Sequence, residues 1–409
     1  MTKVLLHPLT VKALKNGHPH ITKDQYSDKF PSKERFLIGV TANNNQPICL
    51  FLHDPQHKKI KGRVWSFNNF NSNFNSESFL ADLSQRIDKA IEKRILLNIN
   101  KSRDNFYLIF AEADEIPGVF VTHLNDHIFI QIYCFFWRAF EKELIDTLKK
   151  SLQNKLSKSF HFHLQYREEN KANHKANHSP ASNEFLVTEF ELKYKIDLSN
   201  LKDIGLYTDM ASIRQRIIPY LAQTKNLLNL YCYTGAFSLL ALKQNVAQVT
   251  SVDLSAKYLK ILEENYNLNF KSNSNSNSQK HIIINQSVNQ MVSTALNAHK
   301  KNNLPYDFVI IDPPSCSNDK NKTSSVMQMY QELLPKVVKL IADKGYLLIF
   351  VNNHHLSFKE FKSKINAIIA KTNNKVLIEE FKLSQDCPTK ESYPEGDYLK
   401  GLLFQISIT

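Results

Sequence analysis

From about residue 199 onward, five apolar runs alternate with stretches of helical character, and this alternation constrains the fold more than any other feature of the chain. "NLLNLYCY" leads through a tight turn at Thr234-Gly235 into "AFSLLALKQ", and "QVTSVDLS" closes on Asp253 before "AKYLKILEENYNLN". "HIIINQS", "YDFVIIDPP" and "GYLLIFVNN" continue the series, with "KSNSNSNSQK" as a low-complexity loop inside it. Buried strands alternating with helices imply a parallel sheet covered on both faces. Such sheets bind ligands outside the carboxyl ends of their strands, near the topological switch point.

A chain of 409 residues has room for more than this one domain. Residues 1–68 read as a small β-rich module, with strand-like runs "RFLIGVT", "PICLFLHD" and "KIKGRVWSF" separated by turn residues. An Asn/Ser-rich joint, "NNFNSNFNSES", cannot supply a core and marks the first boundary. Residues 69–198 read as a middle α/β domain. Leu80, Leu83, Ile87, Ile91 and Ile95 recur at helical spacing, a strand pair turns at Asn125-Asp126, and "RAFEKELIDTLKKSL" is a second helix. "KANHKANHSPASNE" at 171–184 is a polar surface insertion; its two histidines suggest a metal less strongly than a loop, and no metal is expected. Residues 199–409 form the last domain.

Fifty-two lysines and arginines against 39 acidic residues give a net charge of +13, which makes an anionic partner plausible without naming it. The five cysteines are dispersed, with no CxxC pair, so neither a zinc site nor a disulfide framework is expected and a reducing cytoplasm fits. The first twenty residues form no secretory signal, and no apolar run approaches the roughly 20 residues of a membrane helix.

Three strand ends share the rim: "YTGAF" after the first, Asp253 after the second and Asp312 after the fourth. A glycine permits close backbone approach to a ligand, and a carboxylate at the second strand end suits the two hydroxyls of a ribose. That points to an adenosyl-type cofactor. A dinucleotide fingerprint needs GxGxxG, and only Gly235 is there. Asp253 has an alternative reading as a helix cap, a task Ser255 could perform equally well.

Longer motifs add to this. "GRVWSF", "AEADEIPGVFV", "IGLYTDMASIR", "LNLYCYTGAFS" and "YPEGDYLKG" together resemble the class I S-adenosylmethionine-dependent methyltransferases, and more closely the bacterial 23S ribosomal RNA methyltransferases with an N-terminal PUA domain. The resemblance implies a Rossmann-like catalytic domain preceded by a PUA-like RNA-binding module and a small α/β middle domain. It implies S-adenosylmethionine as cofactor, with Tyr233, Thr234 and Gly235 shaping the methionine pocket, Asp253 holding the ribose hydroxyls, Leu254 and, at the third strand end, Ser287 also cofactor-binding, and Asp209 bordering the cofactor. Arg63 and Trp65, beside the basic "HKKIKGR", would contact RNA. The implied partner is 23S ribosomal RNA or an assembling large subunit in the cytoplasm, with no membrane; the oligomeric state stays open, a homodimer included.

The target base turns on "DPPSCSNDK". Methylating carbon 5 of cytosine needs a thiolate to attack carbon 6, and the cytosine-directed relatives keep that cysteine at the end of the next strand. Here "GYLLIFVNNHH" puts Asn352 and Asn353 there, a pattern that resembles the guanine-N7 methyltransferase domain. Guanine N7 carries a lone pair and no proton, so transfer needs orientation and no nucleophile. Asp312, with Pro313 presenting a carbonyl and Asn352 assisting, would hold the base. Cytosine carbon 5, with Cys316 as nucleophile, is the alternative; a packing cysteine is the plainer reading of Cys316. A third reading is an RNA-binding protein with a degenerate catalytic domain, since Gln286 and Ser287 stand where an acid commonly contacts adenine, and Met210 replaces the residue usual after Asp209.

Overall fold

The computed structural model describes residues 1–22, 34–68, 73–167, 183–199, 203–271, 279–302, 305–314, 320–370 and 374–407. The chain divides into two compact units, Met1–Ser182 with Gln385–Gly396, and Asn183–Ser384 with Asp397–Thr409.

The first unit begins with five short strands: β1 (Lys3–Leu5), β2 (His20–Thr22), β3 (Phe36–Val40), β4 (Pro47–His53) and β5 (Ile60–Ser66), joined in the order β1-β3-β4-β5-β2. The three runs read from sequence are β3, β4 and β5. The two short edge strands and the helix α1 (Pro8–Lys15) between them were not foreseen, because three residues carry too little periodicity to register. Leu6, Leu14, Leu37, Phe51 and Val64 close this small core. A second sheet, β6 (Asn105–Phe110), β7 (Val119–Leu124), β8 (His127–Ile132) and β9 (His161–Tyr166), runs in sequence order, with the expected turn at Asn125 in left-handed conformation (φ 56°). Helices α2 (Ser76–Leu96) and α3 (Glu141–Leu156) pack together. The side chain of Asn75 caps α2 by accepting from the Ser78 amide at 3.0 Å, Lys93 and Arg94 complement its carboxyl end, and Phe79, Leu83, Ile87 and Ile91 bury its apolar face.

The division of the chain departs from the three domains expected. The line falls at Asn183 and not at 199, because the hairpin β10 (Glu184–Glu189) and β11 (Leu192–Asp197) lies against the helix α7 (Ala256–Phe270) of the second unit. Asn265 on α7 accepts from the Lys195 amide at 2.8 Å, and Asn269 both accepts from and donates to the Lys193 backbone at 2.8 Å. Residues 385–396, read as part of the last domain, belong to the first unit. There the Asp386 carboxylate accepts from buried Arg103 at 2.5 Å and from the Tyr107 amide at 2.7 Å, and its carbonyl accepts from Arg94 at 2.9 Å.

In the second unit α4 (Ala211–Arg216) and α5 (Ile218–Leu221) precede a seven-stranded sheet: β12 (Asn226–Leu230), β13 (Gln248–Asp253), β14 (Lys280–Asn285), β15 (Tyr306–Ile311), β16 (Ile341–Asn352), β17 (Asn374–Phe381) and β18 (Leu399–Ser407). Their order is β14-β13-β12-β15-β16-β18-β17, with only β18 antiparallel to its neighbours. The helices α6 (Ala236–Lys243), α8 (Val288–Asn302), α9 (Lys320–Val337) and α10 (Phe358–Ile369), with α7, alternate with the strands, which is the Rossmann-like arrangement expected. The central strands are apolar because both faces are covered: Leu227, Leu228, Leu230 and Phe308 to Ile311 are fully buried. The one polar residue inside β12, Asn229, donates to Ser238 Oγ at 2.9 Å, which also receives Ser251 Oγ at 2.7 Å, so the buried amide is satisfied. The order reverses between β12 and β15. A ligand is therefore expected at the carboxyl ends of these two strands and of β13.

Candidate active site

The chain leaves β12 through Tyr231, Cys232, Tyr233, Thr234 and Gly235, and three of these five have positive φ: Tyr231 at 60°, Tyr233 at 52° and Gly235 at 85°. Two tyrosines in the left-handed region mark a loop held against its own preference, a feature that clusters at ligand sites. Gly235 is required twice over. Its φ disfavours a side chain, and a Cβ there would lie 2.6 Å from Leu262 Cγ. Thr234 is fully buried; its hydroxyl donates to the Gly205 carbonyl at 2.6 Å and its own carbonyl accepts from Asn265 Nδ2 at 3.4 Å. The Tyr233 hydroxyl accepts from the Gly205 amide at 3.1 Å.

Asp253, half-buried at the end of β13, binds this loop directly. Its Oδ2 accepts from the Tyr233 amide at 3.0 Å and its Oδ1 from the Ser255 amide at 2.9 Å. The capping of α7 falls to Ser255, whose side chain accepts from the Tyr258 amide. Asp253 is thus fixed in orientation while each oxygen keeps a lone pair for a further donor, which fits a ribose diol. Leu254 beside it is 72 % exposed, an apolar face presented to solvent at the rim. Across from it, Asn285 Nδ2 donates to the carbonyls of Asp253 at 3.2 Å and of Leu254 at 2.9 Å. The Ser287 hydroxyl is engaged with Gln290 in the first turn of α8, at 3.0 Å to Oε1 and 3.4 Å from the amide. The amide of Asn285, which sequence reasoning passed over, therefore supports the adenosyl side of the rim more directly than Ser287 does. This donor set fits an adenosyl cofactor.

Asp312 follows β15 on the other side of the switch point. Its backbone amide donates to the Leu230 carbonyl at 3.4 Å, but its carboxylate has no hydrogen-bond partner among the described residues. Burial first, and then the negative charge of Asp209, push its pKa up to about 7, while the Arg214 guanidinium pulls the other way. Asp209 is buried and held by the Tyr398 hydroxyl, which donates to Oδ2 at 2.7 Å; its carbonyl accepts from the Ser384 amide at 2.8 Å. Arg214 is fully buried, paired with Glu189 at 2.5 and 3.0 Å, and donates to the Tyr207 carbonyl at 2.9 Å. Pro313 is buried next to Asp312.

Asn352 ends β16, paired with Leu399 of β18, and is half-buried. The residue after it is the better anchored: the Asn353 side chain accepts from the amides of His355 at 2.7 Å and Leu356 at 3.1 Å, and its carbonyl accepts from Lys400 Nζ at 2.8 Å. Lys400 is itself buried, and donates at 2.6 Å to the Asp397 carbonyl. Burial pulls its ammonium down to about 8. Tyr398 and Lys400 both lie in the "YPEGDYLKG" motif, and their spacing of two along a strand end was the signal available for their shared task.

Two expected RNA contacts do not survive. Arg63 is buried, forms an ion pair with Glu112, lies 3.1 Å from His20 Nε2 and donates to the Tyr133 carbonyl at 3.3 Å. Trp65 is 3 % exposed; its ring lies 4.7 Å from that of Phe79, under the Arg86 guanidinium at 3.6 Å, and its indole donates to Asp82 at 3.3 Å. Both are internal because the first unit needs them there: one completes a buried charge cluster and the other caps the α2 core. Neither offers a surface to RNA. Cys316 and most of the insertion at 171–184 lie outside the described residues. The described cysteines, Cys49, Cys134, Cys232 and Cys387, are all buried, and burial pushes the thiols of the first three up, which makes them poor nucleophiles.

Residues 136–382, more than half of the chain, match the family described as S-adenosylmethionine-dependent methyltransferase. The sequence is 29% identical over 403 residues, 96% of each chain, to YwbD of Bacillus subtilis (strain 168), provisionally named a ribosomal RNA large subunit methyltransferase. It is 25% identical over 403 residues, 97% of each chain, to ribosomal RNA large subunit methyltransferase I of Aliivibrio fischeri (strain ATCC 700601 / ES114). Among solved structures, a chain from Streptococcus mutans, provisionally titled a SAM-dependent methyltransferase, superposes with a TM-score of 0.78 at 19% identity, covering 99% of this chain and all of that one. Another similar structure, SMU.776, holds SAH and gives a TM-score of 0.79 at 18% identity over 99% of this chain and all of that one.

Proposed function

The chain belongs to the S-adenosylmethionine-dependent methyltransferase family, and from that premise we propose that it methylates a base of large-subunit ribosomal RNA, with guanine N7 as the target. The names of its relatives support the RNA class. The observation that carries the choice of base is Asp312, an acceptor-rich carboxylate at the end of β15 with no hydrogen-bond partner among the described residues, beside a β16 that ends in Asn352 and not in cysteine.

S-adenosylmethionine, when bound, supplies a methyl group on positively charged sulfur, which a ring-nitrogen lone pair can take without a proton first being removed. The protein's part is orientation. The Asp312 carboxylate accepts from the ring NH and the exocyclic amine of guanine, as donor-rich an edge as that carboxylate can meet. Asn352 and the Pro313 carbonyl border the same base, and Asp253, Leu254 and the Tyr233–Gly235 loop hold the cofactor, with Asp209 at its border. Tyr398 fixes Asp209, and Lys400 fixes the backbone just after Asn352. In this reading the five-stranded sheet of the first unit is a PUA-like RNA-docking module and the four-stranded sheet a middle domain. RNA phosphates meet exposed Lys58 and Lys59 in place of buried Arg63.

Nucleoside mass spectrometry of ribosomal RNA, after incubation with labelled cofactor and wild-type, Asp312→Ala or Cys316→Ala protein, tests this. Labelled 7-methylguanosine that survives loss of Cys316 and disappears with Asp312 supports it. Labelled 5-methylcytidine abolished by Cys316→Ala replaces it with the cytosine mechanism, and intact RNA binding with no cofactor binding in calorimetry replaces it with a non-catalytic RNA-binding role.

A further inference from the structure

Tyr207 stands out in the second unit: it is 46 % exposed, although its backbone and one face of its ring are held in place. Its carbonyl is held by buried Arg214 at 2.9 Å. Two residues earlier, Gly205 has φ 110°, and a Cβ there would lie 2.5 Å from the Lys195 carbonyl, so the approach of this segment is set by the backbone. One face of the Tyr207 ring rests against Tyr233, centroids 4.9 Å apart at 38°; Tyr233 in turn meets the edge of Tyr258 at 4.7 Å. Asp203 accepts from the Tyr258 hydroxyl at 2.7 Å and from that of Tyr207 at 3.5 Å, fixing both rings. The Asp312 amide donates to the carbonyl of Leu230, the strand end from which the loop carrying Tyr233 departs, so the ring resting on Tyr233 stands over the same strand ends as the carboxylate assigned to the base. Among the described residues, the outer face of this ring is left open to water.

We propose that Tyr207 is the stacking platform for the target base, holding the plane of the ring whose edge Asp312 binds. This rests on the RNA methyltransferase reading above. Removing a nucleobase from its own stack costs free energy that an aromatic face in the enzyme restores, at a magnitude worth roughly tenfold to a hundredfold in affinity per base. A carboxylate alone fixes the edge of a base and leaves it free to tilt; a ring fixes the tilt.

Steady-state kinetics on ribosomal RNA with labelled S-adenosylmethionine, paired with calorimetry of cofactor binding and thermal melts, tests it on Tyr207→Phe, Tyr207→Leu and Tyr207→Ala. Tyr207→Leu still covers Tyr233 but has no π face, so it lowers kcat/KM for RNA by roughly tenfold to a hundredfold, with cofactor affinity and melting temperature kept. Tyr207→Phe restores the constant to within about threefold. Wild-type kinetics from Tyr207→Leu, or a loss of cofactor affinity equal to the loss in the RNA constant, would sink the proposal while leaving RNA methylation standing. Wild-type protein that labels no RNA but binds cofactor would remove both.

Discussion

Asp253 and Asp312 end neighbouring stretches of one rim, yet the fold treats them in opposite ways. Asp253 is clamped: two backbone amides bind its two oxygens, and it in turn fixes the loop that carries Tyr233. Asp312 is half-buried, its carboxylate has no hydrogen-bond partner among the described residues, and its pKa rises to about 7 under burial and the charge of Asp209. A group that must present the same face to the same cofactor at every turnover is best held by the backbone. One whose partner arrives with the substrate is left unsatisfied, at a cost in stability, until that partner binds. On the proposed function, the β13 side of the rim does the binding and the β15 side the chemistry.

The largest effect expected of this division is on kcat. Asp312→Ala lowers kcat by about 10²–10³-fold while calorimetry shows cofactor affinity within severalfold of wild type; equal losses in both would erase the distinction. Asp253→Ala does the reverse, weakening cofactor binding by roughly tenfold to a hundredfold, with most of kcat recovered at saturating cofactor.

The pH dependence sharpens the comparison further. Guanine donors need the ionised carboxylate, so kcat/KM for RNA should rise about tenfold between pH 6 and pH 8, with its inflection near 7. Stability moves the other way. The Asp312 carboxyl holds its proton more tightly in the fold than in the unfolded chain, where a carboxyl titrates near 4. Its contribution is therefore full below about pH 4 and is lost as pH rises through about 7. Chemical denaturation of Asp312→Asn should show the variant gaining on wild type across that window, by on the order of a few kcal/mol; a constant difference from pH 4 to pH 8 would mean the group is not strained.

The smallest effect is second-hand. Tyr398→Phe removes the hydroxyl that donates to Asp209 and should cost about threefold to tenfold in kcat, the scale of one ordinary net hydrogen bond. An unchanged pH profile in that variant would place Asp209 outside the set of charges that governs Asp312.

Much of the second unit was legible because its signal is dense. β12, β13, β15 and β16 each carry a mainly apolar stretch closed by polar or turn residues, so the alternation of strand and helix, and with it the shared rim, could be read. Asp253, Asp312 and Gly235 were singled out for the same reason: each lies at or just beyond the end of such a stretch. What stayed hidden depends on long-range pairing. Arg214 meets Glu189 across 25 positions, and Tyr398 meets Asp209 across 189, distances over which periodicity says nothing. Arg63 and Trp65 were misplaced because a cation and an indole have the same composition whether they face RNA or a buried carboxylate. Only the fold decides, and here Glu112 and Phe79 had claimed them.

Residues 385–396 belong to the first unit although the strands on either side of them, β17 and β18, belong to the second. The chain thus crosses between units three times, at 182/183, 384/385 and 396/397. On the ribosome, the last piece of the first unit follows its first strand by about 380 residues, and buried Arg103 waits nearly 300 residues for Asp386. Neither unit can then be inherited as a cassette by a single recombination event, and neither is finished before the other is almost wholly translated. Such threading commits the two units to descend together.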